Sequence, residues 1–506
     1  MSLSTTKRRT ATTETSPFVS MTTAQRMAVV IFVLVYNAFI PGFSEVLHQP
    51  SLPLAALRFA TELVYQGLLV FPFVYYKPGF GWLHPLIFTV IWSLAQKVAS
   101  NPEMLLAPVQ VLMGPLHVEP NHAALRGFTD QEVAWTLIKA KGIESLSLLA
   151  YYGGFFSRLR PTVPKLSFHR AKQVQVRTML LVGGACAVFL LAVEMRGGIV
   201  NHFASLGSGR QRAIGGLGHI GVLIRLGVIA SVVWYAFDSK AGINPLFWGT
   251  LVISLTSIFL WSGSRSDVIF PLAFLLVIYA LRYKAIPWGR AVVVGATALV
   301  LFGMLGALRA STVTGQPAWE IVTNLQVSES LAFADEQLQR REKNPGGGYT
   351  AVVGRVPHDV DFLYGRTYVG ALLFFVPRAL WENKPRATGP YVAKYLYNTT
   401  GNVQMAASPP VVGGIPPGDV GAAYWNFWIP GVVVLFFLYG IFHHWLARLY
   451  VKNEHPLGAV LFLFLVTGAG VSPNALVSFF QDIILILAVL FFLGVLKLPS
   501  VRTLGR

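Results

Sequence analysis

The chain has 506 residues, 54% of them hydrophobic and only 12% charged, with a mean hydropathy of +0.57. A soluble domain carries about 25% charged residues, so these proportions exclude an ordinary soluble protein and point to an integral membrane protein. The net charge of +18 comes with no basic domain or nucleic-acid motif, which argues against a nucleic-acid partner, and the single cysteine, Cys186, excludes an intrachain disulfide, a cysteine metal site and a redox pair.

In chain order, residues 1–26 form a Ser/Thr-rich tail carrying Lys7, Arg8 and Arg9. No small-residue cleavage site follows its first apolar run, so a disordered cytoplasmic tail and a retained first helix are expected. Apolar segments of about 17–25 residues can span a bilayer. Candidates are 27–46, 54–76, 82–99, a shorter and less apolar 142–156, 178–195, 219–237, 245–262, 268–283, 291–308, 425–446, 457–471 and 477–496. The expected architecture is therefore an all-α polytopic membrane protein of about twelve spans. Residues 27–308 and 425–496 form the bundle, 309–424 an outer loop domain, and 497–506 a second cytoplasmic tail.

Charge supports this arrangement. With the N-terminus inside, the inner connectors hold Lys77, the Arg158–Arg177 cluster, Lys240, Arg282, Lys284, Arg290, Arg448 and Lys452, as the positive-inside rule requires. The long loop falls outside, and long loops cross largely regardless of charge. Thr129 and Glu132 have the capping-box spacing, and the helix they begin is expected to end at Gly142. A second surface helix is expected from Pro317 through Leu338, stopping at Asn344-Pro-Gly-Gly-Gly348. No internal repeat of the kind built into many transporters is visible.

Several residues can carry chemistry. In Trp261-Ser-Gly-Ser-Arg265-Ser-Asp267, small residues leave room beside a guanidinium, whose planar fork suits phosphate; Arg309 ends a later span. Arg225 lies deep in an apolar run, where a charge faces a cavity or pairs with a partner such as Glu62 or Asp482. Val376-Pro-Arg378-Ala-Leu-Trp381-Glu-Asn-Lys384-Pro-Arg386 sets three cations and a Trp near the outer boundary. Gly354-Arg355-Val-Pro-His358-Asp359-Val-Asp361 groups three possible bases, with a turn-capping role for Asp359 as the structural alternative. Tyr364 and Tyr368 offer rings for sugars or for the membrane interface. Asn398-Thr-Thr400 has the form of a glycosylation sequon and is read as chance. His443 and His444 are neighbours on a helix and do not face one site.

The glycine-serine-arginine turn, the long outer loop, the Pro-Arg378-Ala-Leu-Trp381-Glu-Asn-Lys384-Pro motif and the Gly421-Ala-Ala-Tyr424-Trp-Asn-Phe427 run together resemble the O-antigen polymerases, the oligosaccharide repeat-unit polymerases. The resemblance covers roughly residues 261–440 and the overall topology. Where such proteins commonly carry an acidic residue just before the Tyr, this chain has Ala422 and Ala423. Either Asp419 substitutes or the position is not catalytic.

The resemblance implies a relative of the GT-C-like membrane glycosyltransferases in the bacterial inner membrane, with both termini cytoplasmic. It would transfer a glycan from undecaprenyl diphosphate to a second lipid-linked unit on the outer face, without nucleotide sugar, cofactor or metal. Arg225, Arg265, Arg309, Arg378, Lys384 and Arg386 would hold the diphosphate. His358, Asp359, Asp361 or Asp419 would act on the acceptor, and Tyr364, Tyr368, Trp381 and Tyr424 would contact sugar. Membrane lipids, a chain-length regulator and a flippase are the other expected partners. The alternatives are a ligase using the same donor and a flippase or exporter for the lipid-linked oligosaccharide.

Overall fold

The computed structural model describes residues 18–40, 42–43, 46, 51–77, 80–100, 125, 127–168, 173–198, 201–202, 218–262, 266–283, 285, 288–289, 292, 347–397, 414–453 and 455–497. Arg265, Arg309, the span at 291–308 apart from Val292, the helix expected from Pro317 and the Asn398 sequon lie outside them.

The described chain is helical. In order it forms α1 (Thr23–Ile31, continued by a π-helical stretch Phe32–Phe39), α2 (Leu52–Val74), α3 (Pro85–Ser100), α4 (Asp130–Phe155), α5 (Val174–Glu194), α6 (Gly218–Phe237), α7 (Pro245–Ser262) and α8 (Ser266–Tyr283). The loop domain supplies α9 (Gly347–Arg355), α10 (Arg366–Leu372) and α11 (Thr388–Tyr391); α12 (Gly418–Lys452), α13 (Pro456–Gly468) and α14 (Pro473–Phe492) follow. A two-residue antiparallel ribbon, β1 (Ser167–Phe168) with β2 (Leu496–Lys497), departs from the all-α expectation. Among the described residues six helices, α2, α5, α6, α7, α12 and α14, are long and apolar enough to cross a membrane, fewer than the twelve spans read from sequence.

The capping box at Thr129 is present: its backbone N–H donates to Glu132 Oε2 at 2.7 Å and its hydroxyl accepts from the Glu132 N–H at 3.3 Å. Gly142 does not end the helix. α4 runs on to Phe155 as one rod, so the expected surface helix and the expected span at 142–156 are a single element. A mid-helix glycine costs only about 1 kcal/mol, and Val133, Ile138, Ile143 and Tyr151 are buried along this rod. Its far half packs against α12. A Cβ on Gly154 would run into the Phe437 carbonyl, and one on Gly440 into the Tyr151 carbonyl. Small residues let two backbones approach this closely in a membrane bundle.

α12 begins at Gly418, seven residues before the expected span, and breaks at Trp428 (φ 57°, ψ −156°). Pro430 follows; its ring lacks an N–H and clashes with the carbonyl four residues back. The positive φ is a strained place for a bulky residue. The turn below it joins the loop domain to the bundle.

The ends of the helices sort by chemistry. At one end the Trp82 N–H donates to the Val19 carbonyl at 2.8 Å, Arg448 to the Pro161 carbonyl at 3.3 Å, Lys452 Nζ to the Val163 carbonyl at 2.6 Å, and Arg282 to the Tyr235 and Ala236 carbonyls at 2.9 and 2.8 Å. The β1–β2 ribbon ties residues 496–497 to the same connector. These are the connectors that the charge pattern placed together. The loop-domain helices stand at the opposite end, where α9 packs on α4 and α12, and α10 on α14.

Candidate functional site

At the loop-domain end α6, α7, α8, α13, α14 and the first turn of α12 surround a cavity of about 380 Å³. Its charged lining is one guanidinium, Arg225, and three carboxylates, Asp267, Asp419 and Asp482; Thr467 and Ser478 add hydroxyls to an otherwise apolar wall. Arg225 Nη2 donates to Asp267 Oδ1 at 3.3 Å, and Ser262 Oγ donates to Asp267 Oδ2 at 2.7 Å. Asp267 sits in the first turn of α8, where a carboxylate favours the helix dipole. The close ion pair of Arg225 is therefore with Asp267, while Asp482, one of the two partners expected from sequence, faces it across the same cavity. Glu62 instead pairs with Lys141 at 3.4 Å, which also meets Glu144 at 2.8 Å.

Two glycines leave the carboxylates their space. A Cβ at Gly468 would stand 2.9 Å from Asp482 Oδ2, and one at Gly470 would stand 2.9 Å from Asp419 Oδ2. Asp419 receives the Val471 N–H on Oδ2 at 2.9 Å and the Ser472 N–H on Oδ1 at 3.0 Å. Both oxygens anchor the α13–α14 corner. This geometry gives Asp419 a positioning role rather than that of the base expected from sequence.

The loop domain is fixed to that same corner. The Tyr368 hydroxyl donates to the Val471 carbonyl at 3.0 Å, and the ring packs 5.1 Å from Phe427. Burial, with Asp419 nearby, raises the Tyr368 phenol above its ordinary value. The Tyr424 ring is fully buried, flanked by Lys139 at 5.3 Å and Phe362 at 6.1 Å. Tyr368 and Tyr424 therefore hold the loop to α12 and α14 and present no open face to a sugar. Tyr364 differs. It is 77% exposed and sits at φ 48°, a left-handed conformation uncommon outside glycine, and Gly365 follows at φ 78° to start α10.

On the turn after α9, Arg355 Nη1 donates to Asp359 Oδ2 at 2.7 Å and lies 5.4 Å from the Phe128 ring. Asp359 is committed to this ion pair. His358 and Asp361 are exposed on the same turn, and the Asp361 carbonyl accepts from Trp425 Nε1 at 3.0 Å.

The cation motif folds back on itself. Lys384 is buried, and its Nζ donates to the Phe374 and Val376 carbonyls at 3.0 and 2.9 Å; its role is to shape the loop. Arg378 is exposed and donates to the Lys384 carbonyl at 2.6 Å. Burial, and then the neighbouring Arg386, lower the Arg378 guanidinium from its ordinary value; burial and Arg378 do the same to Lys384. Tyr391 is pushed up by burial, a shift that the nearby Arg366 and Arg378 oppose. Arg366 and Arg378 thus stand near one phenol, which the Arg386 backbone N–H also reaches, and the Arg386 guanidinium lies beside that of Arg378. Arg386 Nε and Thr388 Oγ1 are buried there with no hydrogen-bond partner among the described residues. Trp381 is half-buried in the same loop.

Clustered guanidinium groups with an unmet donor suit a phosphate or diphosphate, and the exposed bases on the turn after α9 suit a hydroxyl. Among the described residues no three His, Cys, Asp or Glu side chains converge to hold a metal ion. Sequence reasoning passed over Arg366, Asp267 and Asp482 as site residues. The signal for Asp482 is an acid inside an apolar run; Arg366 carries no such signal, standing as an ordinary exposed cation between Tyr364 and Tyr368. No protein-family model, curated protein or solved structure matches this chain.

Proposed function

We propose that this protein polymerises oligosaccharide repeat units carried on undecaprenyl diphosphate, on the outer face of the bacterial inner membrane, with both termini cytoplasmic. The observation that carries the reading is the grouping of Arg366 and Arg378 near Tyr391 with Arg386 beside Arg378, where the buried Arg386 Nε has no hydrogen-bond partner among the described residues. It stands at the same end of the bundle as the charged cavity. In this reaction an acceptor hydroxyl forms a new bond to the anomeric carbon of the donor. The anomeric carbon–oxygen bond breaks, and lipid diphosphate leaves with the electron pair. The cation cluster stabilises the charge developing on that leaving group without reorganising. His358 or Asp361 takes the hydroxyl proton. Asp359, held by Arg355, orients the turn on which both stand.

The reading includes a GT-C-like relationship, metal-independent transfer, and a flippase and chain-length regulator as working partners. One observation favours a second reading: the Arg225–Asp267 pair with Asp482 lies inside the bundle, as in an exporter of the same lipid-linked unit. The test is chain extension by purified protein with lipid-diphosphate-linked repeat units in EDTA, without nucleotide sugar, for wild type and Arg386→Ala. A ladder in EDTA that the variant loses supports polymerisation. No ladder from wild type, with labelled units instead crossing proteoliposome membranes, overturns it in favour of the exporter.

A further inference from the structure

The opposite end of the bundle holds a second cavity, of about 550 Å³, unrelated to the proposed reaction site. Its polar lining is Lys77, Arg160, Arg448, Lys452, His84, His444 and Ser157, with no carboxylate among the described lining residues. A lining of one sign is unusual at an interface between packed helices, because like charges raise one another's energy unless something neutralises them. Among the described residues none of these cations pairs with a carboxylate. Lys452 and Arg448 each reach a backbone carbonyl of the 157–168 connector, and Lys77 lies 4.9 Å from the Tyr75 ring.

An independent observation points to a ligand. His84 is only 5% exposed, yet its Nδ1 has no hydrogen-bond partner among the described residues; His444 Nε2, on the same cavity, also has none. A buried ring nitrogen left unsatisfied costs free energy comparable to a lost hydrogen bond. His84 cannot turn away, because its ring is stacked 4.2 Å from Phe80 and set edge-on to Phe18 and Phe155 at 5.3 and 5.7 Å. The rest of the wall is apolar: Phe155, Phe156, Val163, Ala447 and Val451. The cavity therefore offers four cations and two ring nitrogens on one side and an aromatic and aliphatic surface on the other.

We propose that this cavity binds an anionic phospholipid, its phosphate among Lys77, Arg160, Arg448 and Lys452 and its acyl chain along the Phe155–Phe156 wall. Basic pockets between helix ends suit phosphate headgroups, and the amphipathic lining distinguishes a lipid from a soluble phosphate ester. Occupancy would join the connector at 157–168 to the ends of α3 and α12 and stabilise the bundle by mass action.

The test is native mass spectrometry of the full chain released from detergent with phosphatidylglycerol, phosphatidylcholine or inorganic phosphate. The variants are Lys77→Gln with Arg160→Gln, chosen because neither side chain donates to a backbone carbonyl in the connector contacts above, and His84→Asn. Retained phosphatidylglycerol, little retained phosphatidylcholine, and a roughly 25-fold weaker phosphatidylglycerol adduct in the double variant are expected, since each of the two basic residues contributes about one factor of five to anionic-lipid affinity. Thermal melting confirms that the variants remain folded, and a phosphatidylglycerol-induced rise in Tm is expected for wild type only. Equal retention of the two lipids, an unchanged adduct in the folded double variant, or phosphate binding as tightly as the lipid overturns the proposal.

Discussion

The two ends of this bundle use opposite chemistry to hold their corners. At the connector end, cations meet carbonyls: Lys452 bonds to Val163, Arg448 to Pro161, and Arg282 to the last turn of α6. At the loop-domain end, carboxylates meet N–H groups: Asp419 receives Val471 and Ser472 at the start of α14, and Asp267 stands in the first turn of α8. Arg282 at the last turn of α6 and Asp419 at the start of α14 match the partial charge of the helix termini they face, while Lys452 and Arg448 fasten the 157–168 connector. The lesson is that intramembrane charge here has two uses. Where a side chain serves only a terminus, it is structural. Where charge exceeds what the corners require, in the Arg366, Arg378 and Arg386 group and in the cavity that Asp267 and Asp482 share with Arg225, we place the proposed function and its exporter alternative respectively.

The largest expected effect tests that excess. Under the proposed polymerase reading Arg386→Ala removes a cation of the loop group, and chain extension should fall by roughly 10²–10³-fold, the scale of losing one charge-stabilising donor, whereas Arg225→Gln, in the cavity that favours the exporter, should change it far less; rate measurements on folded variants check this. Next is the close crossing of α4 and α12. Gly440→Val drives side-chain atoms into the Tyr151 carbonyl, and overpacking of this kind costs about 1–3 kcal/mol, read as a lower melting point in detergent. A smaller effect separates the ends. Asn453 is buried, accepts from the Leu166 N–H at 2.7 Å and donates to the Pro164 carbonyl at 3.1 Å. Asn453→Ala should cost about 1–3 kcal/mol of stability by leaving those groups unpaired while the extension rate per folded molecule stays within twofold, roughly the scatter of a neutral change. The smallest is Thr388→Val. Its hydroxyl is buried with no partner among the described residues, so an apolar isostere should leave stability unchanged or raise it by up to about 1 kcal/mol. A fall in extension without a fall in melting point would then assign that hydroxyl to substrate.

Much of the framework was legible. The apolar runs at 219–237 and 245–262 match α6 and α7 closely, because a membrane span is a matter of length and hydropathy. The Thr129 capping box was legible because its partners are three residues apart. The end of that helix was not, because what carries it through Gly142 is packing against α12, some three hundred residues downstream in the chain. The site divides in the same way. Arg225 was conspicuous as a charge in an apolar run, but its partner Asp267 is 42 residues away. Asp419 suggested a catalytic group beside Tyr424, yet its oxygens are occupied by a corner 52 residues on. Lys384, grouped with Arg378 and Arg386 by sequence, turns to two backbone carbonyls. Residue type announces that a charge matters; only the fold decides what it meets.

The most direct measurement is photo-crosslinking of purified protein with a diazirine-bearing polyprenyl diphosphate, followed by mapping of the labelled peptides. The account predicts label on α8, α13, α14 and the 366–391 segment of the loop domain, competed away by unlabelled lipid-diphosphate-linked oligosaccharide and reduced in Arg386→Ala. Label confined to the connector end, beside Lys77 and Arg448, would contradict the assignment of function to the loop-domain end.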